Sequence, residues 1–323
     1  MNFRSPLILN PSSLQIHYNS NILSIGSCFA ENIAHKLTEL KYNLLPNPAG
    51  ICFNPVSILH TIKRSIIGDS LPESEFIESQ DLWCHHDFHG SFNHPDKKAC
   101  MLAVNDSINE SHLFLKNVDR VIITLGTAYV YALDNEIVNN CHKRPQSMFT
   151  RRRLNPVEIR EALNEAIEIL DAFSTRDIKY ILTLSPVRHL KDGMVENNIS
   201  KASCLIAMHD VVQSHNHVQY FPAYELLMDD LRDYRFYAKD RIHPSDEAID
   251  YVFHKFQETH LDEKDKGLRN KVYKLKQALN HKPFNPDSAQ YEAFKQDLLT
   301  KMSHLEQTHS FMNFSEEKLN LRS

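Results

Sequence analysis

The order of apolar segments predicts an α/β fold, in which a parallel β-sheet lies between two layers of helices. Short apolar runs, typical of strands buried on both faces, alternate with longer amphipathic segments. Most of these runs end at or next to a glycine, serine or proline, where the chain can turn sharply. The 323 residues, 42% of them hydrophobic, are enough for one large domain with an appendage.

The predicted elements follow one another as strand and helix along most of the chain. In the first helix, Phe29, Ile33 and Leu37 recur every four residues and form one apolar stripe. Strands are predicted at 22–25, 42–45, 121–125, 180–184 and 218–221, and helices at 28–41, 55–67, 155–172, 199–214 and 245–259.

Two internal segments interrupt this alternation. Residues 69–118 contain a stretch rich in histidine and aromatic residues, followed by an amphipathic stretch around 104–117. Residues 127–150 include Tyr129, Val130 and Tyr131 and are compatible with a β-hairpin.

The last part of the chain predicts two charged helices, broken at Pro283 and Pro286. We expect these helices to pack on the sheet domain or on a second copy of the chain, so the sequence leaves homo-oligomerisation open. The predicted domains are therefore a main domain at 1–260 and a C-terminal helical appendage at 261–323.

Composition excludes several classes of protein. The net charge is −5, and the basic triplet at 151–153 is better explained as a solvated entry to a helix than as a phosphate-binding patch, so no nucleic-acid partner is predicted. Six cysteines without CxxC spacing favour free thiols in a reducing compartment. No apolar leader and no apolar run near the length of a membrane helix is present, so we expect a cytoplasmic protein without membrane insertion.

Candidate reactive residues follow the predicted strands. Ser27, Gly50, Gly126 and Ser185 each come at or just after the end of a strand candidate. In parallel sheets, ligands bind outside the carboxyl ends of the strands, so these residues are expected on one rim. A loop at 240–243, after the last strand, can return to the same edge.

Ser27 is the strongest nucleophile candidate. It stands on the turn between a buried strand and a helix, where free N–H groups and the helix dipole favour an anion. Asp240 and His243, three residues apart, supply the carboxylate and imidazole that a serine nucleophile needs. The alternative is that Ser27 only caps the helix, while Asp240 and His243 form a turn. The common strand-end placement favours the catalytic interpretation.

Two further nucleophile and metal hypotheses arise. Cys28 could act as a thiolate at the helix N-terminus, but its apolar neighbours favour a packing role. The segment 84–89 has residue types that bind zinc, Cys84, His85, His86 and His89 with Asp87. Aromatic residues interleave with them, so an aromatic and polar wall of a substrate cleft is the preferred interpretation. The sequence predicts neither a metal nor a cofactor.

Substrate contacts are less defined by the sequence. Arg188, after the strand at 180–184, could bind an anionic substrate group or form a salt bridge with Glu196, and both remain open. Trp83, Tyr129 and Tyr131 are expected to serve packing rather than to hold a substrate.

The ordered set of motifs resembles the GSCFA family, within the SGNH (GDSL-like) hydrolase superfamily. The resemblance covers about residues 20–260 and begins with the pentapeptide Gly26-Ser27-Cys28-Phe29-Ala30. The other matching blocks lie at 47–55, 124–128, 140–143 and 185–189, with Asp-x-x-His at 240–243.

This resemblance implies a flavodoxin-like α/β/α sandwich and ester or acyl chemistry. Ser27 matches the nucleophile, His243 the general base and Asp240 its partner. Gly50 matches the glycine whose N–H helps to bind the oxyanion, together with an N–H of Ser27 or Cys28. The implied activity is that of a serine esterase on a small acyl ester, of a carbohydrate or cell-envelope component by analogy.

One block departs from the superfamily pattern. Where an asparagine usually follows the glycine by two residues and donates to the oxyanion, this chain has Gly126-Thr127-Ala128. The candidates for the missing donor are Thr127, which is short, and Asn54, Asn140 and His142. The departure favours one alternative to the esterase, a catalytically weak binding module. An acyltransferase with the same site is a second alternative, because the sequence does not separate water from an alcohol as the acyl acceptor.

Overall fold

The structure, a computed structural model, describes residues 5–281 and 283–322. Its strands are β1 (Asn21–Gly26), β2 (Asn43–Pro46), β3 (Ile77–Ser79), β4 (Leu82–Cys84), β5 (Arg120–Leu125), β6 (Tyr129–Leu133), β7 (Glu136–Val138), β8 (Thr150–Arg153), β9 (Lys179–Leu184) and β10 (Val218–Phe221). Its helices are α1 (Cys28–Glu39), α2 (Pro55–Ile67), α3 (Lys97–Leu115), α4 (Pro156–Phe173), α5 (Gly193–Ser214), α6 (Ala223–Glu225, continued as a π-helical segment to Leu231), α7 (Asp246–His260), α8 (Lys266–Leu279), α9 (Ala289–Thr308) and α10 (Ser315–Arg322).

A parallel five-stranded sheet forms the centre of the molecule. Its strands lie in the order β10-β9-β5-β1-β2, and every neighbouring pair is parallel. Counted along the chain this is the 2-1-3-4-5 order of flavodoxin-like sheets, in which connections diverge to opposite faces between the first and third strands. The predicted α/β fold is confirmed, and the switch point lies between β1 and β5.

Helices cover both faces of this sheet. Leu23 and Ile25 of β1 belong to one apolar core, under α2, α4 and α5. Ile22, whose side chain points to the opposite face, belongs to a second core with Phe29 of α1 and Phe256 of α7. The alternation along one strand therefore supplies both cores, which gives the three-layer sandwich.

The C-terminal helices extend the second core. Leu298, Met302 and Leu305 of α9 are buried in the same cluster as the sheet residues. The break before α9 contains Pro283 and Pro286, as predicted. A third helix, α10, was not predicted, because it is short and depends on buried Phe314, just before it, for its packing.

The two interrupting segments build a wall beside the sheet. β3 and β4 form a hairpin, α3 starts at the Asp96 cap, and β6 pairs with β7 in the expected hairpin. The basic triplet 151–153 belongs to strand β8, which pairs with β6, so its assignment to a helix entry was wrong. Arg152 and Arg153 are nevertheless exposed to solvent, as predicted for this triplet.

Two expectations concern the chain's relation to membranes. None of the helices in the described ranges is both long and apolar enough to cross a bilayer. The prediction that the N-terminus lacks an apolar leader rests partly on residues 1–4, which lie outside the described residues.

Candidate active site

The turn from β1 into α1 places Ser27 at the switch point of the sheet. Gly26 has φ +143°, and a Cβ there would overlap the carbonyl of Thr124 on β5. Only glycine fits this conformation and this close approach. The Ser27 N–H then donates to the Thr124 carbonyl at 3.1 Å, so the serine is held against the neighbouring strand.

The Ser27 hydroxyl is free although it is completely buried. Its residue exposure is 0%, and its Oγ has no hydrogen-bond partner within the described chain. Ser27 is the N-cap of α1 but makes no side-chain capping bond, whereas Asn155 and Ser288 both cap their helices through the side chain. The interpretation of Ser27 as a helix cap is therefore wrong.

Gly126 lies directly beside this serine, and Lys201 is bonded to Gly126. A Cβ on Gly126 would come within 3.3 Å of the Ser27 Cβ. The Gly126 carbonyl accepts a hydrogen bond from Lys201 Nζ at 2.7 Å, and the same ammonium donates to the Ser185 carbonyl at 2.6 Å. Lys201, 1% exposed, thus joins the turns that follow β5 and β9.

The Lys201 ammonium brings positive charge into the interior. Burial lowers the pKa of Lys201 to about 8, while the thiols of Cys204 and Cys28 act in the opposite direction. No carboxylate of the described residues forms an ion pair with it. Its charge is therefore unbalanced at the rim where Ser27 lies. Sequence reasoning missed this residue, although a lysine in register with the buried Cys204 and Met208 of α5 was a visible signal.

Asp240 and His243 form a hydrogen-bonded pair on an exposed loop. His243 Nδ1–H donates to Asp240 Oδ2 at 2.7 Å, and Asp240 Oδ1 accepts the N–H groups of Ile242 and His243. The hydrogen bond from His243 lowers the pKa of Asp240 to about 2. The two side chains are 50% and 46% exposed. Ser245 then caps α7 by accepting the Ala248 N–H.

The described structure does not join this pair to the serine. Ser27 Oγ accepts and donates no hydrogen bond, so His243 Nε2 is not in contact with it. The loop after β9 connects the two parts of the rim, since the Arg188 N–H donates to the Ile242 carbonyl at 3.4 Å. Its His189 is close enough to His243 for the two rings to interact electrostatically.

The expected backbone donors for an oxyanion are partly occupied. The Gly50 N–H donates to the Asn47 carbonyl at 2.7 Å, so its prediction as a free donor was wrong. The glycine is required for another reason, since at φ +75° a side chain would overlap His89. The Ser27 N–H is also occupied, by Thr124. The Cys28 N–H lies at the positive end of α1 and makes no backbone hydrogen bond to another described element, although it contacts its own thiol.

Cys28 itself behaves as a packing residue. Its side chain is partly buried against the second core. Burial raises the pKa of the Cys28 thiol, Glu31 raises it further, and Lys201 lowers it. The net direction is upward, which opposes a thiolate nucleophile.

Asn54 and Thr127, two candidates for the missing amide donor, are used structurally. Asn54 caps α2, and its amide both accepts from the Ser57 N–H at 2.9 Å and donates to the Ser57 hydroxyl at 3.0 Å. The Thr127 hydroxyl pairs with Ser200 at 3.0 Å and accepts the Tyr129 N–H. Both side chains are thus engaged in local structure, and both residues also line the cleft described below.

His142 and Asn140 lie in the wall rather than beside Ser27. His142 Nε2–H donates to the His85 carbonyl at 2.9 Å, and burial lowers the pKa of His142 to about 4. Asn140 Oδ1 accepts the His142 N–H. His142 is therefore not the missing donor, while Asn140 lines the cleft described below.

Arg188 does not form the salt bridge considered for it, while its predicted contact with an anionic substrate group stays a prediction. Its guanidinium donates to the Tyr237 hydroxyl at 2.9 Å and lies over the Tyr237 ring at 4.5 Å. Glu196 instead accepts from Tyr129 and pairs with Arg153. The salt bridge expected between Arg188 and Glu196 was wrong.

The proposed zinc residues have other partners. Cys84 contacts the Ile77 carbonyl, His85 Nε2–H donates to Glu75, and His86 Nδ1–H donates to a backbone carbonyl. They do not form a cluster of potential ligands, and across the described ranges the one such group is His17, Asp262 and Asp265. The geometry contradicts the zinc hypothesis.

A cleft of about 400 Å³ lies next to this centre. Phe53, Thr127 and His189 form its inner end, and Tyr129 and Tyr131 line a side of it. Both tyrosine rings pack against the Arg151 guanidinium, in agreement with the expected packing role, and they also border the cleft. Burial lowers the pKa of His189 to about 4, and its Nε2 is buried without a hydrogen-bond partner. Sequence reasoning did not give His189 a role.

Comparisons with known proteins agree on one family. A family model described as GSCFA family matches residues 21–256, and one described as GSCFA domain protein, C-terminal domain, matches residues 272–323. No curated protein and no solved structure matches the chain.

Proposed function

The chain belongs to the GSCFA family, and we propose that it is a serine esterase, in which Ser27 attacks small acyl esters. The free, buried Ser27 hydroxyl carries this proposal. An unsatisfied buried hydroxyl costs stability, about 1–3 kcal/mol, and such groups are rare in folded proteins. The hydroxyls of Ser24 and Thr124 are also unpaired, so it is the position of Ser27 at a helix N-terminus, near a lysine without an ion pair, that favours reactivity over packing.

His243 is the proposed general base. Asp240 holds its Nδ1–H, which leaves Nε2 as the acceptor for the Ser27 proton. The exposed loop must carry the imidazole to the hydroxyl when substrate binds. The Ser27 Oγ then bonds to the acyl carbon, and His243 returns the proton to the departing alcohol as the C–O bond breaks. Water repeats the sequence and releases the acid and the serine.

The oxyanion is stabilised from the N-terminus of α1. The N–H of Cys28 lies there, in the positive field of the helix. Lys201 adds a fixed positive charge from below and holds the Gly126 carbonyl away from the reacting carbon. Donors of this kind contribute roughly 3–4 kcal/mol each where they have been measured. They compensate for the missing asparagine of the superfamily pattern.

The assignment of the protein to a superfamily and to a class of substrate rests on analogy. The 2-1-3-4-5 sheet and the motif order support membership of the SGNH superfamily, and with it an ester of a carbohydrate or cell-envelope component. An alcohol in place of water would make the same site an acyltransferase. Free cysteines throughout the described chain fit a reducing compartment, and we place the protein in the cytoplasm.

A non-catalytic binding module is the second candidate. The observation that favours it is the absence of a hydrogen bond between Ser27 and any imidazole. In this case the Asp240–His243 pair would stabilise the loop alone.

A fluorophosphonate probe tests the proposal. We expect it to label the wild-type protein, to fail with Ser27→Ala, and to label Ser288→Ala normally, because that serine caps α9 outside the site. Hydrolysis of 4-nitrophenyl acetate should follow the same pattern. Circular dichroism shows whether each variant is folded. A folded wild-type protein that is neither labelled nor active would instead support the binding module.

A further inference from the structure

We propose that the cleft beside Ser27 binds ring-bearing esters that carry an oxyanion, of the carboxylate or phosphate type. The inference rests on the proposed function, since it names the substrate class of the same site. Its basis is independent of the reactive residues, because it depends on the charge and shape of the cleft.

The cleft leads to the reactive centre. Its inner end contains Thr127 and Phe53, and both contact the Gly126 turn. Gly126 in turn lies against Ser27. A ligand that fills the cleft therefore extends towards the serine, with the outer part of the ligand against the wall.

Every full charge on the cleft lining is positive. Lys143, Arg144, Arg151 and Lys191 line it, and no aspartate or glutamate does. The chain as a whole carries a net charge of −5, so this concentration does not follow from composition. Clefts lined by one sign of charge raise the local concentration of the opposite ion.

Three of these cations lack a carboxylate partner in the described residues. Arg144 donates to the neutral imidazole of His86 at 3.4 Å, and Lys191 donates to the Tyr131 hydroxyl at 2.7 Å. Lys143 has no ion pair, and it is held in the left-handed region at φ +57°. An anion in the cleft would supply the missing countercharge.

Arg151 is held in a fixed position in the wall of the cleft. It pairs with Asp192 through both terminal nitrogens and lies over the rings of Tyr129 and Tyr131, at 4.0 and 5.2 Å. Lys191 is the neighbour of Asp192 and is therefore positioned by the same contact. The tyrosines leave an aromatic surface beside the free cations, which suits a sugar or aryl ring.

Three residues that line the cleft also contain unsatisfied polar atoms. Asn139 Oδ1, Arg151 Nε and His189 Nε2 are buried, lack hydrogen-bond partners, and belong to residues that line the cleft. Buried polar atoms are usually paired, so three together indicate a place where a polar ligand completes the network.

Binding to the inactive protein tests the inference without catalysis. Calorimetry on Ser27→Ala would compare the dissociation constants of 4-acetoxybenzoate and of its neutral analogue, methyl 4-acetoxybenzoate. We expect the anionic ester to bind about tenfold more tightly. That preference should disappear in a protein that also carries Lys143→Gln and Lys191→Gln, and should weaken at high salt. The control Lys274→Gln removes the same charge from the exposed face of α8 and should leave the preference unchanged.

Hydrolysis separates this inference from the proposed function. With wild-type protein, kcat/KM is measured for the two esters and for 4-acetoxyphenyl phosphate, which represents substrates that carry a phosphate. Each value is divided by the rate constant for hydrolysis of the same ester by hydroxide, because this corrects for the intrinsic reactivity of the ester. Hydrolysis without preference for either anion would overturn the inference and leave the esterase intact. Preferential binding without hydrolysis would overturn the esterase and retain the inference. Equal binding of the charged and neutral esters, or no binding of either, would also overturn it.

Discussion

Two parts of the candidate site differ in how the fold holds them. The strand-end group, Ser27, Gly126 and Lys201, is buried and held by hydrogen bonds to the turns after β5 and β9. The loop pair, Asp240 and His243, is half-exposed and held mainly by its own turn. The difference indicates that the sheet positions the nucleophile, whereas the base arrives on a loop. Stability and activity should therefore respond differently to changes in the two parts.

The largest expected effect comes from removing the base. His243→Ala should lower kcat/KM by roughly 10³- to 10⁴-fold, because the general base that takes the Ser27 proton would be lost. Its unfolding free energy should change by less than about 0.5 kcal/mol, since the side chain is half-exposed. Ester hydrolysis and urea denaturation measure the two quantities.

His254→Ala is the matched control for that variant. His254 is exposed on α7 and pairs with Glu258, outside the site, so its loss should alter neither quantity. Unchanged activity in His243→Ala would remove the loop pair from the mechanism.

A comparison of two glycines tests the strand-end group. Gly26→Ala should cost about 3–5 kcal/mol of stability or prevent folding, because φ is +143° and the new Cβ overlaps the Thr124 carbonyl. Gly193→Ala should cost only about 1 kcal/mol, since at φ +86° its Cβ would have nothing within 4 Å. Denaturation midpoints and slopes of both variants measure the difference. Similar costs would show that close packing at the switch point is not what holds Ser27.

Lys201 should make the strand-end group sensitive to alkaline pH. The pKa of Lys201 is about 8 in the fold, against an ordinary value of 10.5, so between these values the unfolded chain binds more protons. The stability of the wild type relative to Lys201→Met should rise with pH from 8 to 10.5, by up to roughly 3 kcal/mol.

Denaturation at a series of pH values measures this change. Lys274→Met, on the exposed face of α8, should show a flat difference over the same range. A flat difference for Lys201→Met as well would mean that the lysine is more hydrated than its burial indicates.

Local sequence patterns predicted much of the fold. The five sheet strands and the helices between them were correct because their side chains face either core or solvent at regular spacing. The Asp240–His243 hydrogen bond and the Ser245 cap could also be inferred from the sequence, since both connect residues three apart. Contacts of this range depend on few backbone angles, so residue type and spacing are sufficient to indicate them.

Contacts distant in sequence were not predictable in the same way. Lys201 meets the Gly126 carbonyl across 75 positions, and that contact depends on how α5 packs against the sheet. The Gly50 N–H was assigned to an oxyanion, but a tight turn gave it Asn47 as a partner. The basic β8 was mistaken for a helix entry because its pairing with β6 is long-range.

The amino-acid order alone determined the class of fold, the position of Ser27 on its turn and the local pairing of carboxylate with imidazole. Only the tertiary structure decided that the serine hydroxyl is free, that a lysine lies beneath it, and that the neighbouring cleft is positively charged. The physical reason is that burial, solvation and countercharge are set by neighbours brought together across the whole chain, whereas helix, strand and turn preferences act within a few residues.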